Sequence, residues 1–291
     1  MNDKNAGHEA SDRWAIIDSK AKEYRLCSLF RSFQEHSIDA IAIKGWSLGR
    51  FYPGHRPRAY SDIDVSVQPE NYLKARELLS SLNINVVVDL HSGLRTLDTR
   101  EWSTLFSRSY TVTLNNIDVR VLGDEDNLSV TATHWLIDGG INKDRLWDIY
   151  YLVVNRTEKF DWDTCLNANG PVRRSWVLAV IATARDYLAL DVSELPRDVQ
   201  QFELPSWYRQ TIEKEWHRGL YMRVPFRFAL KDPRLLLEYV YRRFPPNPIA
   251  STIEVERTID KSTRFGTQFQ SLKKKGLAFV KQISAKKGGE G

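Results

Sequence analysis

The sequence predicts an α+β protein, a small mixed sheet with flanking helices followed by a helical C-terminal half. Three observations carry this. Short β-branched or alternating runs at 39–43, 62–67, 84–89, 110–114 and 117–122 recur among helical stretches in the first 122 residues. From Asp124 onward the apolar pattern is helical, with segments at 124–138, 143–154, 171–189, 206–220 and 232–243 broken by Gly, Asn and Pro. Finally, Ser61-Asp62-Ile63-Asp64-Val65 alternates polar and apolar residues. On a strand this puts both carboxylates on one face and Ile63 and Val65 in a core.

Residues 1–10 are polar and are expected to be disordered. From Ser11 to about His36, the positions Trp14, Ile17, Ala21, Tyr24, Cys27, Leu29 and Phe33 form one helical stripe. The run 39–43 is a short buried strand ending at Lys44-Gly45. A short helix from Trp46 to Phe51 follows and stops at Pro53-Gly54. The basic loop 55–60 leads into the Asp62–Val67 strand. Pro69 opens a helix to about Leu82. Residues 84–89 are β-branched and are read as a buried strand that delivers Asp89 to its end. Asn115-Asn116 between two alternating runs predicts a hairpin. The expected domains are a mixed core at 11–123, a helical domain at 124–250 and a basic, partly disordered tail at 251–291. The tail holds Lys273, Lys274, Lys275, Lys281, Lys286 and Lys287.

The composition narrows the class. The chain has 291 residues, 42% of them hydrophobic and 27% charged, as expected for a soluble globular protein. No apolar run approaches the roughly 18 residues of a membrane helix, and the polar N-terminus lacks a secretory core. The expected location is cytoplasmic. Cys27 and Cys165 stand in no metal-ligand spacing and read as reduced thiols. Six histidines without an HExxH pattern disfavour a zinc hydrolase. A net charge of +5 suits an anionic ligand such as a nucleoside triphosphate. It is too mild, with no interleaved aromatic-basic patch, to favour a nucleic-acid-binding protein.

The chemistry centres on the two aspartates. Asp62 and Asp64 lie about 7 Å apart along a strand and repel unless a cation sits between them. Removing one charge is therefore expected to stabilise the metal-free protein. Magnesium suits carboxylate oxygens, and a Lys-Gly turn offers backbone N–H groups to a phosphate. Together these features suggest two-metal phosphoryl or nucleotidyl transfer. Asp89 is the chosen third carboxylate; Asp118, which shares a strand face with Arg120, is its rival. Lys44 and the amides of Gly45–Ser47 are read as phosphate receivers, Ser47 either adding a hydroxyl or capping the next helix. Arg56 and Arg58 carry guanidinium forks suited to phosphate, one of them expected to bind it. His91 is read as an orienting partner, a base or a structural histidine. His134 and Asp148 are read as structural. Trp14, Trp176, Trp207 and Trp216 are expected in the core, and Arg173-Arg174 and Arg242-Arg243 at solvated helix ends.

These residues together resemble a known group. The pieces are Ile43-Lys44-Gly45, Tyr52-Pro53, Arg56-Pro57-Arg58, Ser61-Asp62-Ile63-Asp64 and Val88-Asp89-Leu90-His91. Ile117–Leu122 before Glu125-Asp126, then His134, Arg145-Leu146 and Trp147-Asp148-Ile149, fit as well. The pattern is similar to the polymerase-beta-type nucleotidyltransferase superfamily. More narrowly, it resembles a bacterial uncharacterised nucleotidyltransferase family with a Lys-Gly turn in place of Gly-Ser. The likeness covers roughly residues 10–155, and the helical remainder loosely. It departs at Ser92, where that family commonly has Trp, and in a longer spacing from Gly45 to Asp62.

The resemblance implies a polymerase-beta-like nucleotidyltransferase fold. It implies transfer of a nucleoside monophosphate from a nucleoside triphosphate (ATP among them) to a hydroxyl or phosphate acceptor. Two magnesium ions, with manganese as the alternative, would be held by Asp62, Asp64 and Asp89. Lys44, Gly45, Ser47, Arg56, Arg58 and Ser61 would bind the nucleotide. The acceptor stays open among a small molecule, a peptide, a protein and RNA. A toxin- or defence-type enzyme acting on tRNA or protein is one variant. A non-catalytic nucleotide-binding module is the other alternative, and the intact Asp62, Asp64 and Asp89 argue against it.

Overall fold

A computed structural model describes residues 3–54, 56–82, 86–94, 97–219, 232–237 and 244–287. The chain divides into two compact units, Met1–Thr131 with Tyr151–Cys165, and Ala132–Tyr150 with Leu166–Gly291. The units divide within a helix, and residues 151–165 belong to the first unit.

The first unit is built on five strands: β1 (Ala40–Ala42), β2 (Asp62–Val67), β3 (Val87–Ser92), β4 (Tyr110–Leu114) and β5 (Ile117–Val121). Their order is β3-β2-β1-β5-β4. The β2/β3 and β1/β5 pairs are parallel, while β1/β2 and β4/β5 are antiparallel, so the sheet is mixed. Asn115 and Asn116 join β4 to β5 with φ of 49° and 61°, the left-handed pair that a two-residue hairpin turn needs.

One sheet face carries the core. Leu26, Leu29, Phe30 and Phe33 of helix α1 (Asp3–Glu35) pack on Ala40, Ala42, Ile63, Val65, Val67, Val119 and Val121. Helices α2 (Gly45–Gly49), α3 (Tyr72–Ser81) and α4 (Trp102–Arg108) interleave with the strands, and Ala75 of α3 joins the cluster. Because side chains alternate, Asp62, Asp64, Asp89 and Asp118 are left on the opposite face.

Strand β3 departs from the expected buried strand at 84–89. It runs from Val87 through Ser92, and residues 83–85 lie outside the described residues. It is an edge strand with β2 as its partner, and Val87 is 69% exposed. Asp89 therefore sits within the strand, with His91 still on it.

The remaining helices are α5 (Asp124–Ile137), α6 (Leu146–Val154), α7 (Trp162–Asn167), α8 (Gly170–Leu188), α9 (Arg197–Gln201), α10 (Ser206–Arg218), α11 (Pro248–Glu254) and α12 (Phe265–Lys287). The second unit centres on α8, buried without interruption from Trp176 to Ala184, beside buried Tyr208, Ile212, Ile249 and Ile253. Asn247 caps α11, its side chain accepting from the Ile249 and Ala250 amides. Trp176 is buried and its Nε1 donates to the Arg257 carbonyl at 2.8 Å. The Trp14 side chain, residues 238–243 and 288–291 lie outside what is described.

Arg173 is not a solvated helix end. It is 5% exposed, with its guanidinium 4.9 Å from the Trp176 ring centroid, where cation–π attraction offsets part of its desolvation. Within α12, Thr267 and Ser271 are buried and Lys275 pairs with Glu254 at 3.1 Å. Among the described residues no helix is long and apolar enough to cross a membrane.

The α1–sheet contact makes a prediction. Phe33 is 1% exposed in that core. Phe33→Ala should lower unfolding free energy by about 3–5 kcal/mol in urea titration. A loss below about 1 kcal/mol would place α1 off the sheet.

Candidate metal centre

The parallel register of β2 and β3 sets Asp64 opposite Asp89 and Ser66 opposite His91. Asp89 and His91 are two apart on one strand and so share its polar face. One ligand atom from each of Asp64, Asp89 and His91 lies within 4.8 Å of the others. His91 Nε2 is 3.1 Å from Asp89 Oδ2 and 3.6 Å from Asp64 Oδ1. Its buried Nε2 has no hydrogen bond of good geometry. Asp64 is 7% exposed, whereas the Asp89 side chain is 51% exposed.

Lys44 reaches this group through the turn after β1. The Ile43 amide donates to the Asp64 carbonyl at 3.0 Å, extending the β1/β2 pairing by one residue. Lys44 then turns the chain with φ 51° and ψ −136°, a conformation that L side chains rarely adopt. Its Nζ donates to Asp64 Oδ1 at 2.9 Å. Gly45 follows at φ +25°; a Cβ there would lie 3.3 Å from the Asp62 carbonyl and 3.8 Å from Asp64 Oδ2. Glycine thus keeps space beside the carboxylate.

Burial alone would push the Asp64 carboxyl up, but the His91 ring and the Lys44 ammonium outweigh it and hold the carboxyl below its usual range. By distance Lys44 is the stronger partner, since 3.6 Å is beyond hydrogen-bond length. A lowered folded-state pKa contributes stability above the ordinary carboxylate range and loses it as pH falls through the lowered value. The pairing also reverses the expected effect of removing a charge. Asp64 is already neutralised, so its loss would leave Lys44 buried and unpaired.

The other expected residues fall as follows. Asp62, partly buried, accepts from Ser61 Oγ at 3.1 Å and stands outside the three-donor group. Asp118 is on the same sheet face but far away. Val65, Ala42 and Val121 are level across three strands. That puts Asp118 about 13 Å along the strands from Asp64 and two strand spacings, about 10 Å, across. Asp118 accepts from Thr113 Oγ1 at 2.8 Å.

Ser47 does not cap α2; the N-cap is Lys44, and Ser47 Oγ is buried inside the helix with no hydrogen bond among the described residues. Arg58 donates to the Gly45 carbonyl at 3.2 Å, bracing the turn, and Arg56 is exposed. Lys22 donates to the Tyr60 carbonyl, tying the basic loop to α1. His134 Nε2 lies 4.0 Å from Asp138 Oδ2, and Asp148 is buried. Both cysteines are buried, and burial pushes their thiols up.

Sequence reasoning missed one network. Arg100 binds Asp98 at 2.6 Å and Asp126 at 2.7 Å, and Arg108 binds Asp126 at 3.1 Å. Both aspartates are buried, so this cluster ties the 98–100 segment to the start of α5. Of its four members, only the Asp98/Arg100 spacing is legible as a local pair.

The donor set fits a divalent cation, with two carboxylates and an imidazole nitrogen converging on one point. Residues 13–87 match a family described as uncharacterised nucleotidyltransferase. The match contains Lys44, Gly45, Asp62 and Asp64 and ends two residues before Asp89. No curated protein matches the chain. Among solved structures, the chain is similar to an antigenic nucleotidyltransferase-like protein from Paracoccidioides brasiliensis. That similarity has 11% identity, covers 61% of this chain and 91% of that one, and has a TM-score of 0.47. The matched segment spans β1, α2, β2 and α3, and so holds the Lys44-Gly45 turn and two of the five strands.

The Lys44–Asp64 pair is directly testable. Its side chains are 12% and 8% exposed. Lys44→Met should destabilise the protein in chelator by about 3 kcal/mol, because it leaves Asp64 buried with less compensation. Lys44→Met/Asp64→Asn should recover part of that loss in denaturant unfolding. Additive losses in the double variant would show that the two side chains do not interact.

Proposed function

We propose that this chain is a divalent-metal-dependent nucleotidyltransferase. It would move a nucleoside monophosphate from a nucleoside triphosphate to a hydroxyl or phosphate acceptor. The observation that carries the reading is the convergence of Asp64, Asp89 and His91 beside the Lys44-Gly45 turn. The nucleotidyltransferase match of residues 13–87 supports it.

In this reading the acceptor oxygen bonds to the α-phosphorus, the bond to the bridging oxygen breaks, and pyrophosphate leaves. Asp64 and Asp89, with Asp62 alongside, would hold the metal, magnesium or manganese. When bound, the metal neutralises triphosphate charge and lowers the acceptor's pKa. Asp89 is half-exposed, which suits a group that takes the acceptor's proton. Gly45 leaves room for a phosphate to approach the backbone, and Lys44 would turn from Asp64 to the phosphates. Ser61 orients Asp62 by its hydrogen bond. Arg58 holds the turn, and the exposed Arg56 would offer its guanidinium to phosphate. The acceptor could be a small molecule, peptide, protein or RNA.

Two measurements test this. Each nucleoside triphosphate with magnesium or manganese should raise the melting temperature, by an amount equivalent to about 2.7 kcal/mol at a hundredfold excess over Kd. No triphosphate effect with either metal would end the reading. In a pyrophosphate-release assay with the responsive triphosphate, Asp64→Asn and Asp89→Ala should each lose at least about a hundredfold. Asp118→Ala should stay near wild type. Loss in Asp118→Ala with retention in Asp89→Ala would move the reacting site to β5.

A further inference from the structure

We propose that His91 is itself a metal ligand, and that the Asp64–Asp89–His91 centre selects a first-row transition ion of the Mn²⁺ class over Mg²⁺. This rests on the metal-dependent reading above and extends it from the presence of an ion to its kind.

The argument begins with the ring nitrogen. His91 Nε2 is buried and points between two carboxylates, 3.1 Å from Asp89 Oδ2 and 3.6 Å from Asp64 Oδ1, with a hydrogen bond of good geometry to neither. A ring nitrogen that faces two carboxylate oxygens without a well-formed hydrogen bond to either is placed to share a cation with them. Neighbouring ligands of a six-coordinate ion with bonds of about 2.2 Å stand about 3.1 Å apart. The 3.1 Å from Nε2 to Asp89 Oδ2 matches that edge, and the 3.6 Å to Asp64 Oδ1 is one small rotation from it. The backbone supplies the arrangement: Asp89 and His91 share a strand face, and the parallel register brings Asp64 across from Asp89. No side-chain flip is required.

The donor chemistry then discriminates between ions. Magnesium is hard, prefers oxygen at short distances and gives up its waters reluctantly. An imidazole nitrogen is a good ligand for first-row transition ions, while the two carboxylates suit manganese equally well. Lys44 sharpens the choice. Its ammonium, 2.9 Å from Asp64 Oδ1, must be displaced by any ion that binds that oxygen. An ion that gains a nitrogen bond meets that competition better than one bound through oxygen alone.

The test uses the full-length protein with Mn²⁺ as the probe. Pulsed electron paramagnetic resonance of the bound Mn²⁺ should show coupling to a directly bound ¹⁴N. Labelling the protein with ¹⁵N-histidine should change that coupling, a result that needs no variant. His91→Gln should abolish the coupling and weaken Mn²⁺ at least tenfold by titration calorimetry, with Mg²⁺ changing less. Wild type should bind Mn²⁺ at least tenfold more tightly than Mg²⁺. Mn²⁺ that binds with no nitrogen coupling, and is lost in Asp64→Asn, would overturn the assignment of His91 and leave the nucleotidyltransferase reading standing. Equal affinity for Mn²⁺ and Mg²⁺ would overturn the selectivity. Mn²⁺ binding that survives Asp64→Asn would overturn the site on which both readings rest.

Discussion

The site depends on one constraint, the placing of two carboxylates side by side, Asp64 buried and Asp89 half-exposed on the neighbouring edge strand. The parallel β2/β3 register does this by backbone hydrogen bonding, with Asp64 level with Asp89. Two negative charges about 5 Å apart repel by about 3 kcal/mol at an effective dielectric of about 20. The fold answers with Lys44, delivered at 2.9 Å from Asp64. The lysine and the imidazole are the local means by which the acidic pair is tolerated.

The turn that delivers Lys44 has its own cost. A non-glycine residue at φ 51° and ψ −136° is strained by about 1–3 kcal/mol. Several contacts over-determine it. The Ile43 amide holds one side through Asp64, the Leu48 amide donates to the Lys44 carbonyl at 2.9 Å, and Arg58 grips the Gly45 carbonyl. Lys22 fastens the basic loop beyond it. The basic residues before the Asp62 strand thus brace the turn as much as they offer charge to a ligand. Strain held in this way at a cluster of converging donors fits a pre-organised site.

The Asp98–Arg100–Asp126–Arg108 cluster plays a comparable part between the segment after β3 and α5. Burial raises the Asp126 carboxyl and the two arginines pull it back, leaving it above its usual range. A buried ion network of this kind adds little net stability, but losing one member strands the others. Its use is positional: it connects the segment after β3 to the first turn of α5.

The sequence by itself determined much of the local structure. Ser-Asp-Ile-Asp alternation placed Asp62 and Asp64 on one face and the Asn115-Asn116 pair set the hairpin, while the predicted α1 stripe holds only in part: Cys27, Leu29 and Phe33 are buried with Leu26 and Phe30, but Ile17 and Tyr24 are exposed. These are legible because period and turn chemistry are local. Asp89 was legible as a candidate through its β-branched run, although the strand's true extent and edge position were not. Tertiary structure decided the rest. Which aspartate stands beside Asp64 depends on strand order and register, and these put Asp89 adjacent and Asp118 two strands away. The Lys44–Asp64 pair, the inward aim of His91, the burial of Arg173 on Trp176 and the Arg100 network all join groups brought together only by packing. Electrostatic partners are set by distance in space, and no spacing along the chain encodes a contact between strands whose pairing is still unknown.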